Sequence, residues 1–280
     1  MFALCAGVLV ALCAVGATAP PATAAPGTAP SLPEVRTFAL ALGAPASART
    51  TEALAAYDLV VLDGIDSATT RIKQLRAKGV IVLGYMSVGT VEEWRPWAAS
   101  TRRFAMGPVA GWPRERWARV ADAAYRRLLV RRVGPMILAR GFDGLFLDNT
   151  DVGERHPTQA PGARAAVRSL SGLVHSRPGR YLMAQNAAGV LRPAARYLDA
   201  WNREEITTGS AVARASAAAD IARMRAAGLL VTVTDYPASL SGAAAARAMS
   251  VACRLGAVPF TSNRALNRLP ASPPVCPTSG

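Results

Sequence analysis

The segment GFDGLFLDNTD (141–151) decides the fold that we predict for this chain. Its centre, GLFL, has no polar side chain, and the acid Asp148 follows directly. A short run that is apolar at every position, rather than at every second one, is typical of a strand buried on both faces, as in a parallel sheet covered by helices. The segment therefore predicts a buried parallel strand that ends in a carboxylate.

Seven further short, largely apolar and β-rich runs occur along the chain, and helical stretches rich in Ala, Arg and Leu separate most of them, including a long stretch at 114–140. This alternation predicts an α/β fold with a parallel sheet. Eight strands in roughly 230 residues match a single-domain (β/α)8 TIM barrel. The competing fold is a doubly wound open sheet, but no GxGxxG or GxxxxGK[ST] phosphate loop favours it. The predicted strands are 35–42, 58–64, 79–89, 144–149, 181–186, 197–202, 229–236 and 257–262.

The N-terminus has the features of a signal peptide. An apolar run covers residues 2–17, and a small-x-small cleavage site ends at Ala24. We expect residues 1–24 to be removed during secretion and residues 25–33 to form a flexible lead-in. The barrel domain is then predicted to cover residues 34–270.

Two cysteines, Cys253 and Cys276, lie outside the predicted signal peptide. A pair of cysteines in an exported protein predicts a disulfide, which here would tie the tail 271–280 to the last helix. The alternative is two unpaired thiols.

The chain has 32 Lys and Arg against 18 Asp and Glu, a net charge of +14. Such a charge can indicate a nucleic-acid partner. The arginines are instead spread over the predicted helices, and no basic block is interleaved with aromatic residues. We therefore expect no nucleic-acid partner, no stable membrane association after processing, and a monomer.

Polar side chains collect where the predicted strands end, which is where catalytic groups lie in a (β/α)8 barrel. Eight of the 18 acids fall there, so a basic protein has an acidic cleft at one rim. For a single acid in this position, capping of the next helix or turn is the alternative. The eight acids are Asp63, Asp66, Asp148, Asp151, Glu154, Glu204, Glu205 and Asp235.

Two carboxylates across a cleft are the groups that glycosidic cleavage requires, because one protonates the leaving oxygen and the other attacks the sugar or activates water. A Ser-His-Asp site is disfavoured by the presence of only two histidines and no GxSxG motif. We expect no cofactor and no zinc site, and a Mg²⁺ or Ca²⁺ site built from the acids is the alternative.

Aromatic rings also stack on the C–H faces of sugars. Tyr85, Trp201 and Tyr236 lie beside the acids in the sequence and are predicted sugar contacts. Four other tryptophans fit a core-facing stripe and a sugar-binding surface equally well: Trp94, Trp97, Trp112 and Trp117.

The order and spacing of six segments resemble glycoside hydrolase family 114, the endo-α-1,4-polygalactosaminidase-like (β/α)8 barrels. The resemblance covers about residues 35–270, and its most specific pieces are GYMSVG (84–89) and GFDGLFLDN (141–149). The other segments are YDLVVLDG (57–64), AQNA (184–187), DAWNREEI (199–206) and VTVTDY (231–236).

The resemblance implies that Asp148 and Glu204 are the catalytic pair, with Glu205 as the alternative to Glu204. It implies a secreted, endo-acting hydrolase of α-1,4-linked, galactosamine-rich polysaccharide. The alternatives are a barrel that binds polysaccharide without cleaving it and a metal-dependent hydrolase. The predicted substrate-binding residues are Asp63, Tyr85, Ser87, Asn149, Asp151, Gln185, Asn186, Trp201, Glu205, Asp235 and Tyr236.

Overall fold

Eleven strands form between residues 32 and 277, the part of the chain that the computed structural model describes. They are β1 (Phe38–Leu40), β2 (Leu59–Asp63), β3 (Ile81–Ser87), β4 (Thr90–Glu92), β5 (Ala105–Val109), β6 (Trp112–Ala118), β7 (Gly144–Asp148), β8 (Tyr181–Gln185), β9 (Ala200–Glu204), β10 (Leu230–Asp235) and β11 (Val258–Thr261).

Ten α-helices lie between and outside the strands in the same residues. They are α1 (Ala48–Leu54), α2 (Thr69–Ala77), α3 (Ala98–Thr101), α4 (Ala123–Leu128), α5 (Gly134–Leu138), α6 (Val152–Arg155), α7 (Ala160–Val174), α8 (Ala188–Leu191), α9 (Ala211–Ala226) and α10 (Ala243–Arg254). A π-helical turn, Leu129–Val133, joins α4 to α5.

Eight strands form one parallel sheet in the order β1-β2-β3-β7-β8-β9-β10-β11. The two ends of this sheet meet, since the ring of Phe38 in β1 lies edge-on to that of Phe260 in β11 at 6.0 Å between centroids. The loops beyond these strands also meet, where the amide of Gly43 donates to the carbonyl of Leu266 at 3.1 Å. The sheet is thus a nearly closed (β/α)8 barrel, which confirms the predicted fold and its eight strands.

The outer helices cover the barrel with apolar stripes. In α7 the buried positions Ala163, Ala166, Val167, Leu170 and Val174 recur at the three- and four-residue spacing of one helix face. Strand β2, by contrast, is buried at all five positions. Strands buried on both faces require such a helical layer, and this explains the apolar runs of the sequence.

Two glycines of the characteristic segments permit close packing at the site end and at the base of the barrel. A Cβ atom on Gly89 would lie 1.8 Å from the carbonyl oxygen of Asn149, and one on Gly144 would lie 1.8 Å from that of Tyr181. Neither position has room for a side chain, so the close approach of the segments that follow β3 and β7, and of β7 to β8, requires glycine there.

The prediction that 114–140 is one helical stretch is wrong. Residues 112–118 form β6, which pairs antiparallel with β4 and β5 in a separate three-stranded sheet that we call the insert sheet (residues 90–118). The helix begins only at Ala123, where the Asp122 side chain accepts from the amide of Ala124 at 2.7 Å. Arg and Glu favour helices weakly, and pairing with a neighbouring strand outweighs that preference.

The predicted disulfide is present, and Cys253 of α10 is bonded to Cys276 of the tail. The predicted signal peptide (1–24) and most of the predicted lead-in (25–33) lie outside the described residues. Among residues 32–277, none of the helices combines the length and apolarity that crossing a membrane requires.

Replacing both cysteines by serine is expected to lower the free energy of unfolding by about 3 kcal/mol, because the bond closes a loop of 23 residues in the unfolded chain. Urea denaturation of the variant and the parent measures this difference. Ser272→Ala, at an exposed tail position, is the control and should unfold as the parent does. Identical unfolding curves for the cysteine variant and the parent would contradict the expectation.

Candidate active site

A cleft of about 450 Å³ opens at the carboxyl ends of the barrel strands. Its walls come from the barrel, from the insert sheet and from the loop after β11. Seven carboxylates and two guanidinium groups line it, so the cleft is acidic although the whole chain is basic. These residues are Asp63, Glu92, Glu115, Asp148, Asp151, Glu204, Glu205, Arg95 and Arg264.

Asp148 ends β7 and lies at the centre of this cleft. One carboxylate oxygen accepts from the backbone amide of Asn149 at 2.7 Å and from the side-chain amide of Gln185 at 2.9 Å. The other accepts from the hydroxyl of Tyr85 at 2.9 Å. These donors, together with the side-chain amide of Asn149 at 3.5 Å from the second oxygen, fix the orientation of the carboxylate and stabilise its charged form.

Glu204 ends β9 and accepts from two donors. The side-chain amide of Asn186 donates to it at 2.9 Å, and the hydroxyl of Tyr236 donates to its other oxygen. Asn186 is held in turn, because its side-chain oxygen accepts from the backbone amide of Glu204 at 3.1 Å and from Arg203 at 3.2 Å. Glu204 is thus oriented by neighbours from β8 and β10.

The two carboxyl groups perturb each other. Burial raises the pKa of Asp148, and its hydrogen bonds only partly offset this. Burial and, after it, the negative charge of Asp148 together raise the pKa of Glu204 to about 7. A pair of half-buried acids, one of which holds its proton near neutral pH, is the arrangement expected of an acid and a base that work together.

Arg95 is buried between the insert sheet and the barrel. Its guanidinium forms two hydrogen bonds with Glu92, at 2.8 and 3.1 Å, and pairs with Asp63 at 2.9 Å. It also lies over the ring of Tyr85 at 5.6 Å. Burial alone would raise the pKa of Asp63, but Arg95 and two backbone amides bring it below its ordinary value. Burial raises the pKa of Glu92 to about 7 despite this same arginine.

Two further carboxylates face Asp148 without a close guanidinium partner. Burial raises the pKa of Glu115, and the charge of Asp148 adds to the rise. Burial raises the pKa of Asp151 to about 6, again with a contribution from Asp148, and Arg155 lies 3.9 Å away. The acidity of the cleft is therefore concentrated around Asp148.

Four residues without the freedom of glycine have positive φ angles at the ends of these strands. They are Asn149 (56°), Asn186 (54°), Ala187 (49°) and Glu205 (60°). Asparagine tolerates this conformation, whereas alanine and glutamate rarely adopt it. Such strain is found where the fold requires a particular orientation of the following side chains, as at functional sites.

The structure places most of the predicted site residues on the cleft wall. Besides Asp148 and Glu204, eight of the predicted substrate-binding residues line it: Asp63, Tyr85, Asn149, Asp151, Gln185, Asn186, Glu205 and Tyr236.

Three predicted substrate contacts are wrong. Trp201 is fully buried, and its indole donates to the carbonyl of Asn186 at 2.7 Å, so it is a core residue beneath the site. Asp235 is buried and accepts from the hydroxyls of Thr207 and Thr208, which anchors the segment after Glu205.

The third, Ser87, is buried beneath Asn149, whose side-chain amide donates to its hydroxyl at 3.0 Å. The alternation of side chains along a strand explains the errors for Trp201 and Asp235. Ser87 instead lies on the same face of β3 as Tyr85, and the side chain of Asn149 covers it. Two other predicted rim acids, Asp66 and Glu154, also lie off its lining.

Four charged lining residues were not predicted. Glu92, Arg95 and Glu115 belong to the insert sheet, and Arg264 lies in the loop after β11, where it pairs with Glu205 and stacks on Tyr236 at 5.3 Å. Glu92 closely follows the characteristic segment GYMSVG (84–89), which could have identified it as a site residue. Glu115 lies in the stretch 114–140 that was predicted to be helical, so nothing in the sequence pointed to it.

Of the four tryptophans for which a core position and a sugar-binding surface were both open, two line the cleft and two do not. Trp94 and Trp112 are exposed and line the cleft, whereas Trp97 is buried and Trp117 is half-buried. Among residues 32–277, no group of three or more His, Cys, Asp or Glu side chains is arranged to hold a metal ion.

The family model described as Glycoside-hydrolase family GH114 matches residues 17–269. The chain is also similar to an uncharacterized protein of Deinococcus radiodurans, with 27% identity over 237 residues that span 76% of this chain and 75% of that protein.

Two solved structures are similar to the barrel. One is Ega3 of Aspergillus fumigatus in complex with galactosamine, with a TM-score of 0.72 and 21% identity over 87% of this chain and 97% of that one. The other is the glycoside hydrolase domain of PelA from Pseudomonas aeruginosa, with a TM-score of 0.70 and 22% identity over 85% of this chain and 99% of that one. At these identities the likeness concerns the fold.

The raised pKa values predict how stability depends on pH. An acid whose pKa is raised on folding stabilises the native state below its unfolded pKa, and this contribution is lost as the pH rises through the folded pKa. For Glu204 that window runs from 4.5 to about 7. The free energy of unfolding of Glu204→Gln should therefore fall less than that of the parent across this range.

Urea denaturation at several pH values within the window measures the difference. Glu34→Gln, at an exposed position, is the control and should follow the parent. A Glu204→Gln protein whose stability falls as steeply as the parent's would contradict the assignment of a raised pKa to this group.

Proposed function

The chain belongs to glycoside hydrolase family GH114, and from that premise we propose that it is an exported, endo-acting hydrolase of α-1,4-linked, galactosamine-rich polysaccharide. The observation that carries the proposal is the pair Asp148 and Glu204, two half-buried carboxyl groups in one cleft whose negative charges repel each other. Glycosidic cleavage by two carboxyl groups requires one to be protonated and one to be charged.

The hydrogen bonds support a division of roles within the pair. Asp148 accepts from Tyr85, from Gln185 and from the backbone amide of Asn149, and these hydrogen bonds favour its charged form. Once Asp148 is charged, its field favours the protonated form of Glu204. We therefore propose that Glu204 is the acid that protonates the leaving glycosidic oxygen. Asp148 then attacks the anomeric carbon or deprotonates the attacking water.

The charge of the cleft supports a cationic substrate. Seven carboxylates against two guanidinium groups attract a polymer of unacetylated galactosamine, whose amines are protonated near neutral pH. A neutral or anionic polysaccharide would gain nothing from this excess. The structure of Ega3, which has the same fold, was solved with galactosamine.

The disulfide supports export, because such bonds are rare in reducing compartments. The apolar N-terminal run and the cleavage site near Ala24 support the same proposal. N-terminal sequencing of the protein from the culture medium tests it, and a mature chain that retains residues 1–24 would contradict it.

Substitution of either catalytic residue is expected to abolish or strongly reduce the release of oligosaccharides from a galactosamine polymer. Asp148→Asn should reduce the rate to background. Glu204→Gln should lower kcat by about 10²–10⁴-fold for natural linkages, the usual contribution of a general acid. On a substrate with an acidic leaving group, which needs no proton, Glu204→Gln should retain much more of its activity.

Glu205→Gln is the matched comparison. The carboxylate of Glu205 neighbours Glu204 in the sequence but forms an ion pair with Arg264. We expect a loss of at most about tenfold, the size of one charged hydrogen bond. Full activity of Asp148→Asn would refute the assignment, and so would a greater loss in Glu205→Gln than in Glu204→Gln. If the parent protein binds the polymer but releases no oligosaccharide, a barrel that binds polysaccharide without cleaving it is favoured. If a chelator inactivates the parent, a metal-dependent hydrolase is favoured.

Tyr85→Phe is expected to move the acidic limb of the pH–activity profile to higher pH. The hydroxyl of Tyr85 donates to charged Asp148, so its loss raises the pKa of Asp148 further. Activity at neutral pH should fall about tenfold, as one hydrogen bond to a charged group is lost. Profiles of kcat against pH for the variant and the parent measure the shift, with Tyr181→Phe, outside the cleft, as the control.

A further inference from the structure

The insert sheet carries an aromatic surface that the proposed reaction does not use. Trp112 is 57% exposed and Trp94 is 39% exposed, and both line the cleft. Of the four large apolar side chains that are exposed among residues 32–277, these two are the aromatic ones. Two tryptophans gathered at the mouth of a polar cleft indicate a ligand that presents an apolar face.

The ring of Trp94 is held in place in the free protein. The guanidinium of Arg95 lies 5.7 Å from its centroid, and that of Arg114 lies 5.5 Å from it. Arg95 is itself fixed by Glu92 and Asp63. A surface that is already ordered loses little conformational entropy when a ligand binds, which favours a binding role for it.

Glu115 adds an acidic group to the same cleft lining. It follows Trp112 by three residues in β6, about 10 Å along a strand. It is only 7% exposed, yet it lines the cleft. Among the described hydrogen bonds, its carboxylate has one donor, the hydroxyl of Thr90 at 3.0 Å, and that bond engages one oxygen.

A cationic ligand group would complete this arrangement. Burial raises the pKa of Glu115, and the charge of Asp148 adds to the rise, so the charged carboxylate is disfavoured by its surroundings in the protein. A protonated amine placed against the free oxygen would offset both effects. An amino sugar provides such an amine together with a C–H face that an aromatic ring can cover.

We propose that the insert sheet is a sugar-binding extension of the cleft for amino-sugar chains. Trp112 stacks on the ring of a unit outside the reaction centre, and Glu115 accepts a hydrogen bond from a protonated amine of the chain. The proposal rests on the proposed function, since it assigns the insert sheet to recognition of the same polymer.

The test of Trp112 measures binding in the Asp148→Asn background, so that the polymer is not consumed. Trp112→Ala should bind unacetylated galactosamine polymer roughly tenfold more weakly in affinity electrophoresis, as expected for one lost stacking contact. Trp112→Phe should restore part of the affinity. Val212→Ala, an exposed position on α9 outside the cleft, should bind as the background protein does.

The test of Glu115 compares two polymers in the same background. Glu115→Gln should bind the unacetylated polymer about tenfold more weakly, because one hydrogen bond between charged groups is lost. Its affinity for the fully N-acetylated polymer should change much less. Glu93→Gln, an exposed neighbour on the insert sheet that does not line the cleft, is the control.

The outcomes separate this inference from the proposed function. Undiminished binding by Trp112→Ala, or equal losses on both polymers in Glu115→Gln, would overturn the inference even if the parent cleaves the polymer. Binding that depends on both residues in a parent protein that releases no oligosaccharide would support the inference and overturn the hydrolase proposal. A parent that neither binds nor cleaves the polymer would overturn both.

Discussion

The buried guanidinium of Arg95 is the interaction on which the geometry of the cleft depends. It pairs with Asp63 at the end of a barrel strand and with Glu92 of the insert sheet, so it fixes two separate sheets relative to each other. It also lies against the ring of Tyr85, whose hydroxyl donates to Asp148. Removal of one partner from a buried charge cluster is costly, because the remaining charges stay buried without compensation. The position of Asp148 is therefore tied to residues of three elements.

Much of the fold was predictable because the barrel strands are buried on both faces. Short apolar runs such as GLFL favour strands buried on both faces, and the helical stretches between them favour a parallel sheet. The insert sheet was not predictable in the same way. Residues of β6 such as Arg114 and Arg116 are exposed and polar, and they form a strand only because β4 and β5 lie beside them. Such pairing depends on contacts distant in sequence, which local composition does not reveal.

The candidate site was predictable to the extent that strand ends meet at one rim. Asp148, Gln185 and Glu204 follow this rule and lie together on the cleft wall. The rule does not say which of two successive side chains faces the cleft, and so it failed for Trp201 and Asp235. Those two residues support the site from beneath, through Asn186 and through the segment after Glu205. Residues that hold the site and residues that line it alternate along the same strands, so sequence order alone does not separate them.

The distribution of counter-charges distinguishes structural from functional carboxylates in this cleft. Asp63 and Glu92 share Arg95, and Glu205 is paired with Arg264, so these acids are compensated within the protein. Asp148, Glu115 and Glu204 have only neutral donors, and burial raises the pKa of each. Such groups weaken the fold at neutral pH, and their retention is explained by what they do for a ligand. In the proposed scheme Glu204 donates a proton to the leaving oxygen of the substrate, and Asp148 attacks the anomeric carbon or deprotonates the attacking water. The protonated amine of the substrate is the counter-ion of Glu115.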